Sequence, residues 1–60
     1  MITFDVVYNR VKIWRGEMKQ LPPIETRVQI EGYEYEVDKI IMDLKTGYIQ
    51  VEVELIKKIK

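Results

Sequence analysis

The chain has 60 residues, with ten basic and ten acidic side chains and a formal net charge of zero. This length fits one domain, so residues 1–60 are interpreted as a single small domain. Zero net charge argues against a general polyanion-binding protein, which must neutralise several phosphates. No apolar run is as long as a membrane span, and Cys is absent, so we expect a cytoplasmic protein (the host cytoplasm, if phage-encoded).

Several residue types that carry chemistry are missing from the sequence. It contains no His, Cys or Ser, which removes the imidazole base and the common nucleophiles. Carboxylates, Lys, Tyr and Thr remain, but so short a chain rarely supplies both a scaffold and a water-excluding cleft. We therefore expect a protein that is not an enzyme, with no catalytic residues, no cofactor and no metal site.

The first third of the chain alternates between apolar and polar residues, as a half-buried β-strand does. Ile2–Val6 and Val11–Arg15 each alternate, and Asn9–Arg10 is predicted to be a tight turn or a bulge. Residues 2–21 then form one bent strand, two strands or three, and the preferred interpretation of residues 2–14 is either two strands or one long strand that bends sharply. A turn at Gly16 followed by a short strand to Leu21 is also expected.

A proline-containing connector and a β-meander follow. Leu21–Ile24 contains two prolines, neither of which can donate a backbone hydrogen bond to a sheet. In residues 26–56, three alternating runs are joined by turns at Glu31–Glu34 and Asp43–Gly47. The alternation changes phase near Asp38–Lys39, which predicts a β-bulge.

These elements predict an all-β fold, a small SH3-like barrel of four or five antiparallel strands with the meander at residues 26–56. Sixteen Ile and Val residues and no Ala favour strands over helices. An OB-like barrel is the second choice, because that fold usually needs a longer chain.

The strand after Asn9 provides the first candidate partner-binding surface. If Val11 and Ile13 face the core, Trp14 faces outward with the cations on either side of it. The candidate residues are Arg10, Lys12, Trp14 and Arg15. Trp and Arg are enriched both at protein-interface hot spots and where single-stranded nucleic acids stack. The other interpretation places Trp14 in the core.

Acidic residues of the meander provide the second candidate, a docking face for a basic partner. Its residues are Glu34, Glu36, Asp38, Glu52 and Glu54. Hairpin pairing is predicted to place Asp38 beside Glu52 and Glu36 beside Glu54. The alternative is a solvated face on which neighbouring cations screen the carboxylates.

The remaining surface features suggest self-association. Val7, Trp14 and Ile56 occupy polar positions of their strands, and together they would form an exposed apolar patch. A homo-oligomer would also enlarge the small core of so short a chain. The basic end, with Lys57, Lys58 and Lys60, is interpreted as a solubilising segment.

The segment LPPIETRVQIEGYEYEV, residues 21–37, has a Pro followed by the pattern V-x-I-x-G-x-x-Y-x-V. With the hairpin that follows, residues 21–55 resemble short uncharacterised β-proteins of bacteriophages and prophages. The resemblance implies a viral accessory protein, either a minor virion component or a small inhibitor of a host factor or defence system. It carries over no catalytic residues.

Together these observations predict a protein-interaction module that binds a host or virion protein. One alternative is a single-stranded nucleic-acid-binding domain that uses the basic strand with Trp14. A second alternative is an oligomeric small-ligand-binding protein, in which protomers pool residues to form a pocket. No membrane partner is expected.

Overall fold

The computed structural model describes residues 1–59, in which there are five β-strands and no helix. The strands are β1, Ile2–Tyr8; β2, Val11–Met18; β3, Arg27–Ile30; β4, Tyr33–Met42; and β5, Ile49–Lys58. Within the described residues, nothing helical is long and apolar enough to cross a bilayer. Lys57 and Lys58 end β5, whereas Lys60 lies outside the described residues.

The strands form one mixed sheet in the order β2-β1-β5-β4-β3. The sheet curls into a half-barrel, and the prediction of an all-β fold resembling a small SH3-like barrel is confirmed. One detail differs, because β1 and β5 pair in parallel while the other neighbours are antiparallel. The strands β2 and β3 are the two edges of the sheet, so an open side separates them.

The core lies on the concave face of the half-barrel. Its buried side chains, which alternate along the three central strands, are Phe4, Val6, Tyr35, Val37, Val51 and Val53. Burying an aliphatic or aromatic side chain of this size stabilises a fold by about 1.5–3 kcal/mol. The ring of Tyr35 extends the core towards Tyr8, with ring centroids 5.5 Å apart.

The N-terminal hairpin turns at Asn9 and Arg10, whose φ angles of 53° and 67° are those of a type I′ turn. Of the alternatives left open for this region, the structure has two strands. The predicted turn at Gly16 is wrong, since Gly16 lies within β2 opposite Phe4. No strand continues to Leu21.

The β-meander has the predicted turns and the predicted bulge. Glu31 and Gly32 form the first turn, and Gly47 supplies the left-handed position of the second with φ of 80°. In the β4–β5 register, Val37 lies opposite Val53 and Lys39 lies opposite Glu52. Asp38 is therefore the extra residue of the bulge.

The connector returns the chain to the sheet through a tight turn. The amide of Thr26 donates to the carbonyl of Pro23 over 3.1 Å, and Glu25 between them has φ of 72°. The amide of Glu25 donates to Val37 O, and the amide of Val37 donates to Thr26 O, both over 2.8 Å. These bonds hold the connector against β4 and leave one wall of the concave face lined by prolines.

Candidate binding groove

A bulge in β2 decides where Trp14 lies. Val6 is opposite Trp14 and Val7 is opposite Lys12, so Ile13 is the extra residue. Residues on both sides of a bulge can face the same way, and here Ile13 and Trp14 both face the concave side. The indole lies 5.4 Å from the ring of Phe4, and 37% of the Trp14 residue surface remains exposed.

The predicted outward-facing set of Trp14 and three cations is therefore divided between two faces. Lys12 lies opposite Val7 and Arg15 lies opposite Asp5, positions that alternate with the buried residues of β1 and belong to the convex face. Arg10 is in the turn. The prediction that Trp14 shares the surface of Arg10, Lys12 and Arg15 is wrong, because the alternation was counted without the bulge.

Trp14 lines a groove of about 460 Å³ on the open side of the half-barrel, between β2 and β3. The lining residues come from β1, β2, the connector and β3. They are Phe4, Val6, Trp14, Met18, Gln20, Leu21, Pro22, Pro23, Thr26, Val28, Gln29 and Ile30. A third of the residues in this chain are charged, yet none of the lining residues is. The groove is therefore suited to a neutral, largely apolar group.

Most of this groove was not recognised from the sequence. Phe4, Trp14 and Val28 are far apart in the chain, and the curl of the sheet brings them together. One local signal was present, because the run from Gln20 to Ile24 is uncharged and includes both prolines. An uncharged run between two charged strands is typical of a segment that lines a partly buried surface.

The convex face opposite the groove carries an ion pair between β1 and β2. Arg15 Nε donates to Asp5 Oδ1 over 2.7 Å, and the Asp5 side chain is only 15% exposed. This hydrogen bond, with the attraction of the same carboxylate, raises the pKa of Arg15. The guanidinium also lies 6.0 Å from the ring of Tyr48. The Arg15 side chain is therefore fixed on the convex face by Asp5 and Tyr48.

The predicted acidic face is also convex, but cations are interspersed with its carboxylates. Glu36 lies opposite Glu54, as predicted. Glu52 lies opposite Lys39, so the prediction that Asp38 is its neighbour is wrong. The bulge moved every later residue of β4 by one position.

Glu34, at the other end of this face, binds Arg27 Nη1 over 2.9 Å. Among residues 1–59 there is no group of three or more possible ligands that could hold a metal ion. Glu36 and Glu54 are the one directly opposed acidic pair that remains of the predicted stripe, and Arg27 lies opposite Glu36 on the neighbouring strand β3.

The predicted apolar patch does not form either. Trp14 faces the groove, whereas Val7 alternates with the buried residues of β1 and lies on the convex face. Ile56 is an extra residue near the end of β5, since Tyr35 pairs with Leu55 and Glu34 pairs with Lys57. Val7, Trp14 and Ile56 therefore do not share one surface for self-association.

The chain matches no protein-family model, no curated protein and no solved structure.

Proposed function

We propose that this protein is a non-enzymatic protein-interaction module whose groove receives an apolar segment of a protein partner. The observation that carries the proposal is an uncharged groove, with Trp14 in its wall, on a chain rich in charge. Partly exposed aromatic side chains in a water-excluding surface are typical anchors of protein interfaces. A partner side chain that covers the indole would bury what Trp14 still exposes.

The free edge of β3 can align an extended segment of the partner through backbone hydrogen bonds. Ile30 and Tyr33 flank the Glu31–Gly32 turn and form a hydrogen-bonded pair, as in other two-residue hairpins. By alternation, the amides and carbonyls of Arg27 and Gln29 point away from β4. An extended partner segment can pair with these groups and place every second side chain in the groove.

The proposal includes the partner's origin and the location of binding. A host factor, a host defence component or a virion protein follows from the resemblance of residues 21–55 to phage β-proteins. Binding then takes place in the cytoplasm of the host. This part rests on the resemblance alone.

The test compares two methionine substitutions in a pull-down from a bacterial lysate. Met18→Glu adds a charge to the groove, whereas Met42→Glu adds the same charge at the far hairpin, where Met42 is 53% exposed. We expect the wild type and Met42→Glu to recover the same protein, and Met18→Glu to lose it. The identified partner, once purified, should shift Trp14 emission to shorter wavelength. Equal recovery by both variants would disprove the role of the groove.

A small neutral ligand is a second candidate, because the groove volume lies within the range of roughly 300–1,000 Å³ that is usual for small-molecule sites. Gln20 and Thr26 are polar groups that could orient such a ligand. Nile red, a neutral apolar dye, serves as the probe of the groove. Displacement by the low-mass filtrate of a lysate would favour a ligand, and displacement only by the retained protein fraction would favour a protein partner.

The nucleic-acid alternative receives no support from the geometry. It requires Trp14 and the cations on one surface, but Lys12 and Arg15 lie on the face opposite Trp14, and Arg10 lies in the turn.

A further inference from the structure

The edge strand β2 contains a self-complementary segment. In the described part of the chain, β2 pairs only with β1, so its other side is unpaired. The segment from Trp14 to Met18 reads W-R-G-E-M, with an apolar residue at each end, opposite charges inside them and Gly16 at the centre. A sequence that reads this way can pair with an antiparallel copy of itself, provided that its backbone groups point outward.

The backbone groups of Arg15 and Glu17 do point outward. The turn at Asn9 and Arg10 makes Tyr8 and Val11 a hydrogen-bonded pair. Continued through the bulge, the alternation directs Gly16 towards β1 and leaves the amides and carbonyls of Arg15 and Glu17 on the free edge. When two such edges are related by a two-fold axis at Gly16, the amide and carbonyl of Arg15 in one copy can form hydrogen bonds with those of Glu17 in the other copy.

The side chains on both faces of the sheet also favour this register. On the convex face, Arg15 of one copy lies opposite Glu17 of the other. By symmetry, Glu17 of the first copy lies opposite Arg15 of the second. Arg15 uses its Nε and Nη2 for Asp5, which leaves N–H donors for a second carboxylate. On the concave face, Trp14 lies opposite Met18 of the second copy, and these residues are 37% and 47% exposed in the single chain.

Neighbouring registers are unfavourable. An axis at residue 15 places Arg15 opposite Arg15, and an axis at residue 17 places Glu17 opposite Glu17. Like charges directly opposite each other destabilise a sheet. The bulge at Ile13 ends regular pairing on one side, and β2 itself ends at Met18 on the other. The geometry therefore selects one register.

We propose that the protein forms a two-fold homodimer through antiparallel pairing of β2 with β2 of a second copy, centred on Gly16. The two five-stranded sheets then form one continuous sheet. Because such an axis is perpendicular to the sheet, both grooves open on the same side. Trp14 and Met18 belong to both the groove and the dimer contact, so the two proposals are separated at Glu17, which lies outside the groove lining: Glu17→Arg should lose the dimer but still recover the protein partner of the groove.

The test uses charge reversal outside the groove lining, read by sedimentation velocity over a range of protein concentrations. Glu17→Arg places Arg15 opposite an arginine, and we expect the dissociation constant to rise tenfold or more, an effect on the order of that seen for close interfacial charges. Glu31→Arg makes the same change of charge in a distant turn and should sediment as the wild type does.

Mixing two variants tests the register itself. Arg15→Glu places Glu17 opposite a glutamate and should also be monomeric, but Glu17→Arg mixed with Arg15→Glu restores both pairs and should give a heterodimer. Amide exchange of the wild type should slow at Arg15 and Glu17 as concentration rises. A wild type that stays monomeric at about 1 mM, a weak affinity on the protein scale, would overturn the proposal. So would a Glu17→Arg variant that dimerises as well as Glu31→Arg.

Discussion

The indole of Trp14 covers Gly16, the residue two positions later on the same strand. A Cβ built on Gly16 would lie 2.6 Å from Trp14 Cζ2, which is too close for any real contact. Gly16 therefore has a packing role, because its missing side chain is the space in which the groove-lining indole lies.

Gly16→Ala should displace this indole. Alanine suits a strand better than glycine, so an increase in stability would be expected without the clash. With it, we expect the free energy of unfolding to fall by about 1–2 kcal/mol, a typical result of overpacking. Trp14 is the only Trp in the chain, so its emission should shift to longer wavelength as the ring moves into solvent. Chemical denaturation followed by fluorescence measures both changes.

The control is the same substitution in a Trp14→Leu background, where the ring is absent. There Gly16→Ala should be neutral or stabilise by about 0.5–1 kcal/mol. Equal losses in both backgrounds would show that the indole does not require the glycine.

Glu25→Gly should stabilise the fold. Glu25 is the third residue of the turn closed by Thr26 and Pro23, and its φ of 72° is the type II conformation that favours glycine. Relief of this strain should add about 0.5–1 kcal/mol to the free energy of unfolding, less the entropy that glycine adds to the unfolded chain. Thermal denaturation is a suitable measurement. Glu25→Ala removes the same charge but keeps the strain, so it should give no increase.

Glu54→Gln should also stabilise the fold, because it removes an electrostatic repulsion. Glu54 lies directly opposite Glu36, and removal of one charge should add about 0.2–1 kcal/mol to the free energy of unfolding. The increase should shrink in 0.5 M salt, where exposed charges are screened over roughly 4 Å. Urea denaturation at two salt concentrations tests this.

Glu52→Gln is the matched control for that experiment. Glu52 lies opposite Lys39 on the same two strands, so the same substitution should lower stability or leave it unchanged. If both variants gain stability equally, the effect belongs to the total charge and not to the Glu36–Glu54 pair.

Val51→Ala should show how small the core is. Val51 is fully buried at 0% exposure, and the lost methyl groups with the cavity left behind should cost roughly 2–3 kcal/mol. A chain of 60 residues is stable by only about 3–9 kcal/mol, so a large part of the total is lost. Val11→Ala, at a position 60% exposed, should change the urea midpoint little. Similar midpoints for both variants would contradict the placement of the core.

Much of the fold follows from local sequence. The alternation of β-branched residues marked the strands, Gly32 and Gly47 marked two turns, and the change of phase at Asp38 marked a bulge. Each is a backbone preference of neighbouring residues, which a sequence carries without reference to the rest of the chain.

The groove could not be predicted in this way. The bulge at Ile13 reverses the face of Trp14, and nothing in the alternation Val11–Arg15 reveals an extra residue. The parallel pairing of β1 with β5, which directs β2 and β3 to opposite edges, depends on contacts between the two ends of the chain.

The sequence by itself therefore determined an all-β chain with defined turns, because those features depend on adjacent residues. The tertiary structure decided that Trp14 faces an uncharged groove while Arg15 pairs with Asp5 on the other side. The physical reason is the two-residue period of a strand, since a single inserted residue exchanges the two faces of all that follows.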